Sequence, residues 1–313
     1  MLTAGVVQSP IDASWFLAGV LDPRTHQGSP TLLRSDDGGA TFTAHGRSTC
    51  GSLVMDAADA NTAYCLGDES QRTEDGGRSW TAFSVPASGW FVTAATCPGT
   101  IPCLYVLLED QAPQTGCTLA RTDDRGRTWQ QTKVAAEICY GARIAVAPDA
   151  TNHLVAACFD DIQPALCDTR DGGQTWGVHA VGTDPDRGWE SILFTRDGIA
   201  LAATNRSGPL EDALPGAVLR SSDGGTTWAT VAQAGGNLVA SVAHPRTVFL
   251  IAPVENGQTQ AGIMRSDDGG ASWTWASPRG SAFGVPALDI SAVVDAPDGG
   301  FLAETAYGLV HFQ

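Results

Sequence analysis

Between residues 236 and 277 the chain runs through LVASVAH, TVFLIAPV, MRSDDGG and WTWAS, short apolar stretches with period-two alternation separated by Gly, Pro, Asn and Asp. Runs of that length and period predict β-strands joined by turns. The same arrangement recurs from one end of the chain to the other. No long stretch repeats its apolar residues at helical spacing, so an all-β protein is predicted. The 36 Gly and 17 Pro fit the same picture of many short strands and many turns. With 313 residues, 43% of them hydrophobic, the chain can bury a large core, and length alone allows one large domain or two ordinary ones.

One polar element punctuates these strands six times. SDDGGATF from Ser35 is followed by TEDGGRSW, TDDRGRTW, TRDGGQTW, SSDGGTTW and SDDGGASW. Its aspartates fall at Asp37, Asp75, Asp124, Asp171, Asp223 and Asp268, with spacings of 38, 49, 47, 52 and 45 residues. A period of about 45 residues marks a stacked supersecondary unit, and four short strands per unit describe a propeller blade. Each fixed position has a reason in turn chemistry. The carboxylate accepts backbone N–H groups just ahead of it, the glycines permit positive φ, and the hydroxyls of Ser35 and Thr41 tie the turn to its flanks. Phe42, or Trp in the other five copies, is large enough to wedge between sheets.

This motif resembles the Asp-box, or bacterial neuraminidase repeat, and six copies extend the resemblance over nearly the whole chain. Phe42 for Trp, Arg125 for Gly, and Ser79 and Ser272 for Thr are the departures. The resemblance implies a β-propeller with the Asp-box between the third and fourth strands of each blade, facing away from the functional mouth. Units at about 6–45, 52–84, 91–133, 142–181, 190–232, 236–277 and 287–313 then predict a single domain of seven blades, the last with three strands and no box; six blades, as in sialidases, is the alternative.

Charge and cysteines narrow the partners. The formal charge is −16, from 34 acids against 18 bases, and Lys133 is the single lysine. Such a field disfavours nucleic acid and anionic membranes. No apolar run reaches membrane-spanning length, and a monomer is the expected state. Eight cysteines, without a CxxC pair or a nearby histidine cluster, predict disulfides in an extracellular or periplasmic protein rather than a zinc site. The expected pairs include Cys158 with Cys167 and Cys103 with Cys117. MLTAGVVQSP carries neither a basic region nor an apolar core of a secretion signal, so a trimmed leader is expected.

Function is expected on the face opposite the boxes. There the loops between blades bring Trp90, Tyr140, Trp189 and Phe283 to equivalent points, with Arg143, Arg187 and Arg279 nearby. Aromatic platforms beside Arg and carboxylates suit sugar rings, although the same aromatics could plug the top of the ring. Glycosidase chemistry needs two facing carboxyl groups. Candidates are Glu190, Asp160, Asp161, Glu109, Asp110, Glu211, Asp212, Asp184, Asp186 and Glu255, with Glu190 and Asp161 leading. Ten are too many to be a signal by themselves.

Three comparisons follow from the resemblance. Sialidases imply an arginine triad, a Tyr nucleophile with a Glu partner and an Asp acid/base; Tyr307 with Glu304 in ETAYG matches the late tyrosine, whereas the early Phe/Tyr-Arg-Ile-Pro motif is missing. Nine of the 17 arginines precede or lie inside a box, which leaves eight for a triad. Xyloglucan-hydrolysing enzymes pair two such rings around a cleft. Photosystem II assembly factors and sorting receptors use the ring to bind protein. Each box offers too few oxygens for calcium, no nucleotide or zinc-protease motif is present, and no metal or cofactor is expected. Asn205-Arg206-Ser207 forms a glycosylation sequon. The expected function is binding of a glycan at the mouth, extended to hydrolysis if two carboxyls face each other; the alternative is a non-catalytic protein-binding scaffold.

Overall fold

The computed structural model describes residues 6–9, 16–20, 31–38, 40–47, 52–67, 69–86, 89–99, 101–110, 116–135, 138, 143–160, 163–182, 188–205, 216–252, 262–277, 290–296, 298–305 and 308–312. Its elements are strands, and each sheet is built from strands consecutive in the chain. The first sheet contains β1 to β4 (Val6–Gln8, Phe16–Val20, Thr31–Ser35, Thr43–Arg47). The second contains β5 to β8 (Ser52–Met55, Ala63–Leu66, Gln71–Thr73, Thr81–Ala82) and the third β9 to β12 (Gly89–Thr96, Leu104–Asp110, Cys117–Thr122, Gln130–Val134). The fourth contains β13 to β16 (Ile144–Val146, Leu154–Asp160, Gln163–Thr169, Gly177–Ala180) and the fifth β17 to β20 (Trp189–Phe194, Ala200–Thr204, Val218–Ser221, Ala229–Ala232). The sixth contains β21 to β24 (Asn237–Ala240, Val248–Ala252, Gly262–Ser266, Thr274–Trp275). These six are four-stranded antiparallel blades of a β-propeller; β25 to β27 (Ile290–Asp295, Phe301–Thr305, Gly308–Phe312) form a three-stranded sheet.

The first strand of each sheet lies beside the first strand of the next, and β1 touches both β5 and β25. Second strands are almost wholly buried: β6, β18 and β22 have no residue that reaches the surface. The expected alternation does not hold in TVFLIAPV, because its strand β22 is covered on both faces and such a strand is a continuous apolar run. Outer strands such as β8 and β16 are mostly exposed.

Each repeat turn connects the third and fourth strands of its blade. In the fifth sheet Ser221 Oγ donates to Asp223 Oδ1 (2.7 Å), which also accepts the Thr227 N–H (2.9 Å), while Oδ2 accepts the Thr227 hydroxyl (2.6 Å). Ser221 Oγ in turn accepts the Gly225 N–H (2.9 Å), and the Trp228 indole N–H donates to the Gly225 carbonyl (2.7 Å). The carboxylate pattern repeats at Asp37, Asp75, Asp124, Asp171 and Asp268. Gly224 and Gly225 have φ of 75° and 97°, and a Cβ on Gly225 would lie 2.4 Å from Val155 Cγ1, so both conformation and space demand glycine. Arg125 holds the left-handed conformation (φ 62°) that glycine takes in the other copies. Its guanidinium bonds Asp59 of the second sheet (2.8 Å) and its carbonyl accepts Arg72 (2.6 Å), contacts that offset the strain.

The wedge residue of every copy packs between its own blade and the preceding sheet. Trp80 joins Leu17 and Leu53, Trp176 joins Tyr105 and Leu119, Trp228 joins Leu166, Trp273 joins Leu201, and Phe42 joins Ala292, Val294 and Leu302. Trp228→Ala is therefore expected to lower the unfolding free energy by about 2–4 kcal/mol. Equilibrium denaturation checks this; a loss under about 0.5 kcal/mol would show that the indole carries no inter-blade packing.

Four of the arginines that precede the repeat turns clasp the next blade, whereas Arg265 pairs with Asp267 of its own turn (2.8 Å). Arg34 Nη1 donates to the Gly76 carbonyl, Arg72 to Arg125 as above, and Arg220 Nε to Gly269 (2.9 Å). Arg121 donates to Asn152 Oδ1 and to the buried Tyr105 hydroxyl (2.8 Å). His153 supplies an equivalent bond, its Nε2–H donating to the Gly224 carbonyl (2.8 Å).

Cysteine pairing is half as expected. Cys158 and Cys167 form a disulfide across β14 and β15. Cys103 pairs with Cys97, not with Cys117, because these two flank the short β9–β10 turn and their Cα atoms are 5.2 Å apart. Cys65 and Cys117 each take part in a further disulfide, not with one another. Buried disulfides of this kind fit an oxidising compartment. No helix among the described residues is long and apolar enough to cross a membrane.

Candidate functional site

The repeat turns share their face of the ring with the turns between first and second strands, as the Gly172 N–H to Asn152 carbonyl bond (2.9 Å) shows. On the opposite face lie the first residues of the first strands and the last residues of the second strands. Of the residues expected to act there, Arg143, Trp189 and Glu190 come together where the fourth sheet meets the fifth. Trp90 and Glu304 lie in β9 and β26, and only their backbones are described. Asp161, Tyr140, Arg187, Arg279, Phe283 and Tyr307 lie outside the described residues.

Glu190 follows from a local irregularity. In the pairing of β17 with β18, Trp189 opposes Thr204 and Ser191 opposes Ala203, so Glu190 is an extra residue with no partner across the ladder. A bulge of this kind bends the strand and re-aims the side chain of the inserted residue. Trp189 and Ser191 on either side are 6% and 7% exposed, whereas Glu190 is exposed. Among the described residues its carboxylate has no hydrogen-bond or ion-pair partner.

The surroundings hold this bulge. Arg143 Nε donates to the Glu190 carbonyl (3.1 Å). The Trp189 indole packs with Ala157 and Leu166 and donates to the Cys158 carbonyl (3.2 Å). Gly188 and Asn205 are doubly bonded: the Gly188 N–H donates to Asn205 Oδ1 (2.7 Å) and the Asn205 N–H to the Gly188 carbonyl (2.9 Å). The asparagine of the sequon thus braces the entry to β17.

Other expected groups have structural partners. Both oxygens of Asp110 accept Lys133 Nζ (2.7 and 2.8 Å), and Thr118 adds a third bond. The Lys133 ammonium holds the Asp110 carboxyl below its ordinary value, so this acid stays ionised and paired. Arg246, one of the eight arginines outside the repeats, pairs with Asp197 on the repeat face (3.0 Å). Ser191 and Asn205 were missed as site residues, since a bulge leaves no mark in a period-two pattern; the Gly235-Gly236 pair nearby was the available signal.

No family model matches the chain, and no curated protein matches it in sequence. Solved structures do match. The likeness is to β-propellers. YCF48 bound to a D1 peptide has a TM-score of 0.62 at 17% identity, over 98% of this chain and 95% of that one. The GH74 xyloglucanase from Xanthomonas campestris has a TM-score of 0.68 at 15% identity, over 98% of this chain and 51% of the enzyme, so this chain spans about half its length. A PL25 ulvan lyase bound to a GlcA–Rha3S unit has a TM-score of 0.56 at 11% identity, over 100% of this chain and 93% of the lyase. At these identities the likeness is one of fold.

Proposed function

We propose that the chain is an exported Asp-box propeller, closed as a ring of seven sheets, that binds a glycan at the mouth through Glu190. The observation that carries this reading is the Glu190 carboxylate, exposed on a braced bulge and without a hydrogen-bond or ion-pair partner among the described residues. Sugar hydroxyls donate well to an ionised carboxylate, and such charge-assisted bonds are stronger than neutral ones. Two of the structurally similar propellers, the xyloglucanase and the ulvan lyase, are named for a polysaccharide. Hydrolysis would require a second carboxyl facing Glu190, for which Asp161 is the proposed partner, and Tyr307 with Glu304 is the sialidase-like pair. Binding of a protein segment is the second reading; it is favoured by the near-complete overlap with YCF48, solved bound to a D1 peptide.

A glycan array with a chromogenic-glycoside screen tests the first reading. Binding to a defined glycan is expected, weakened about tenfold or more in Glu190→Gln, the loss of one charge-assisted bond. Full affinity in that variant removes Glu190 from the site. A wild-type protein that ignores every glycan and retains peptides instead supports the second reading.

A further inference from the structure

We propose that Ser191 is a positioning residue: by bonding the fifth sheet to the sixth it fixes the bulge that aims Glu190 at the mouth. The proposal rests on the reading of Glu190 as the ligand-binding carboxylate and adds what sets its direction.

An inserted residue lacks the ladder bonds that orient an ordinary strand residue, so its direction depends on whatever holds its neighbours. Ser191, the residue after Glu190, is buried and uses both functions of its hydroxyl. It accepts the Leu238 N–H (2.8 Å) and donates to the Gly236 carbonyl (3.1 Å), both at the entrance to β21 in the next sheet. That approach depends on glycine. Gly236 has φ of 143°, and a Cβ there would lie 2.1 Å from the Ile251 carbonyl oxygen. On the other side Arg143 and Trp189 tie the same bulge to the fourth sheet. Glu190 is thus held from both neighbouring blades through residues that need not touch the ligand themselves, the arrangement by which a binding group is preorganised. Replacing Ser191 by Ala would leave a buried N–H and a buried carbonyl unpaired, and the bulge free to shift.

The experiment is carbodiimide-activated amine labelling of carboxyl groups on the oxidised full-length chain, read by peptide mapping, with no glycan present. Ser191→Ala is expected to change the labelling rate of Glu190 by about fivefold, the population change that loss of one ordinary hydrogen bond permits. Glu69, exposed in the second sheet, serves as control and is expected to label at the wild-type rate. Ser191→Thr, which keeps the hydroxyl, is expected to restore Glu190. Arg143→Ala removes the opposite prop at a half-buried position and is expected to change Glu190 labelling likewise; it decides the matter if Ser191→Ala does not fold. Unchanged Glu190 labelling in the folded variants, or equal shifts at Glu190 and Glu69, overturns the proposal. Because labelling needs no ligand, absence of any bound glycan would overturn the functional reading and leave the positioning role standing.

Discussion

Asp295→Ala is expected to lower the unfolding free energy by about 3–5 kcal/mol, more than any other single carboxylate among the described residues. Asp295 ends β25 and is 3% exposed. Its Oδ1 accepts the Ser241 hydroxyl (2.7 Å), and its Oδ2 accepts the N–H groups of Val242 (2.6 Å) and Ala243 (3.0 Å), all in the turn after β21. Its backbone bonds the other way. The Asp295 N–H donates to Gln8 Oε1 (3.0 Å) and its carbonyl accepts Gln8 Nε2 (3.0 Å), a link across 287 residues to the last residue of β1. One residue thus joins the sixth sheet, the three-stranded sheet and the first. Truncation leaves three donors without their acceptor, the Ser241 hydroxyl buried and the two N–H groups partly buried, each costing up to about 1–3 kcal/mol if it finds no other partner. Asp295→Asn should lie between the two, since its amide can accept from one donor but turns an NH₂ toward another. Urea denaturation with an unchanged slope measures the effect; a loss of less than about 1 kcal/mol would show that packing alone joins these sheets.

The second large effect is acid sensitivity. Hydrogen bonds from the hydroxyl and N–H of the residue four positions ahead hold Asp75, Asp124, Asp223 and Asp268 at about 2, against an ordinary value of 3.8. The same bonds lower Asp37 and Asp171. A carboxyl whose folded value lies below its unfolded one contributes stability that is present above 3.8 and lost as pH falls toward 2. Asp56 runs in the opposite direction, because burial raises it and penalises its ionised form. Nine lowered carboxyls, these six with Asp36, Asp110 and Asp267, against one raised predict a melting temperature that falls steeply between about pH 4 and pH 2. A melting temperature constant over that window would show that the turn carboxylates are not held in solution as described. Asp223→Asn should flatten part of the slope, while costing about 0.5–2 kcal/mol at neutral pH by analogy with a helix cap.

The site was less legible in the sequence than the fold, and the difference lies in the range of the forces. SDDGGATF and its copies are local devices: an aspartate reaches a backbone N–H four residues ahead whatever surrounds it, and the glycines follow from φ alone. Glu190 led the ten candidate acids in the sequence for its place beside an aromatic, yet nothing in the sequence showed that it would sit on a bulge. Trp189 was expected as a platform for sugars; the structure places it in the contact between the fourth and fifth sheets, with its indole N–H bonded to Cys158. Asp110 read as a candidate acid until Lys133, 23 residues away, was placed on it. Cys103 could not be assigned to Cys97 by counting, since pairing depends on how sharply the β9–β10 turn closes.

By itself the sequence determined the all-β class, the period of the repeat, the turn chemistry of each copy and its wedge residue, because short-range hydrogen bonding and period-two burial act within a few residues of one another; the place of the turn between third and fourth strands was implied by the resemblance. Only the tertiary structure decided where the arginines reach, which cysteines pair around the β9–β10 turn, how Gln8 meets Asp295, and that one inserted residue in β17 leaves Glu190 exposed beside the buried Trp189 and Ser191. Those outcomes depend on the register between strands and on the contact between sheets, and both are set by the packing of the whole ring.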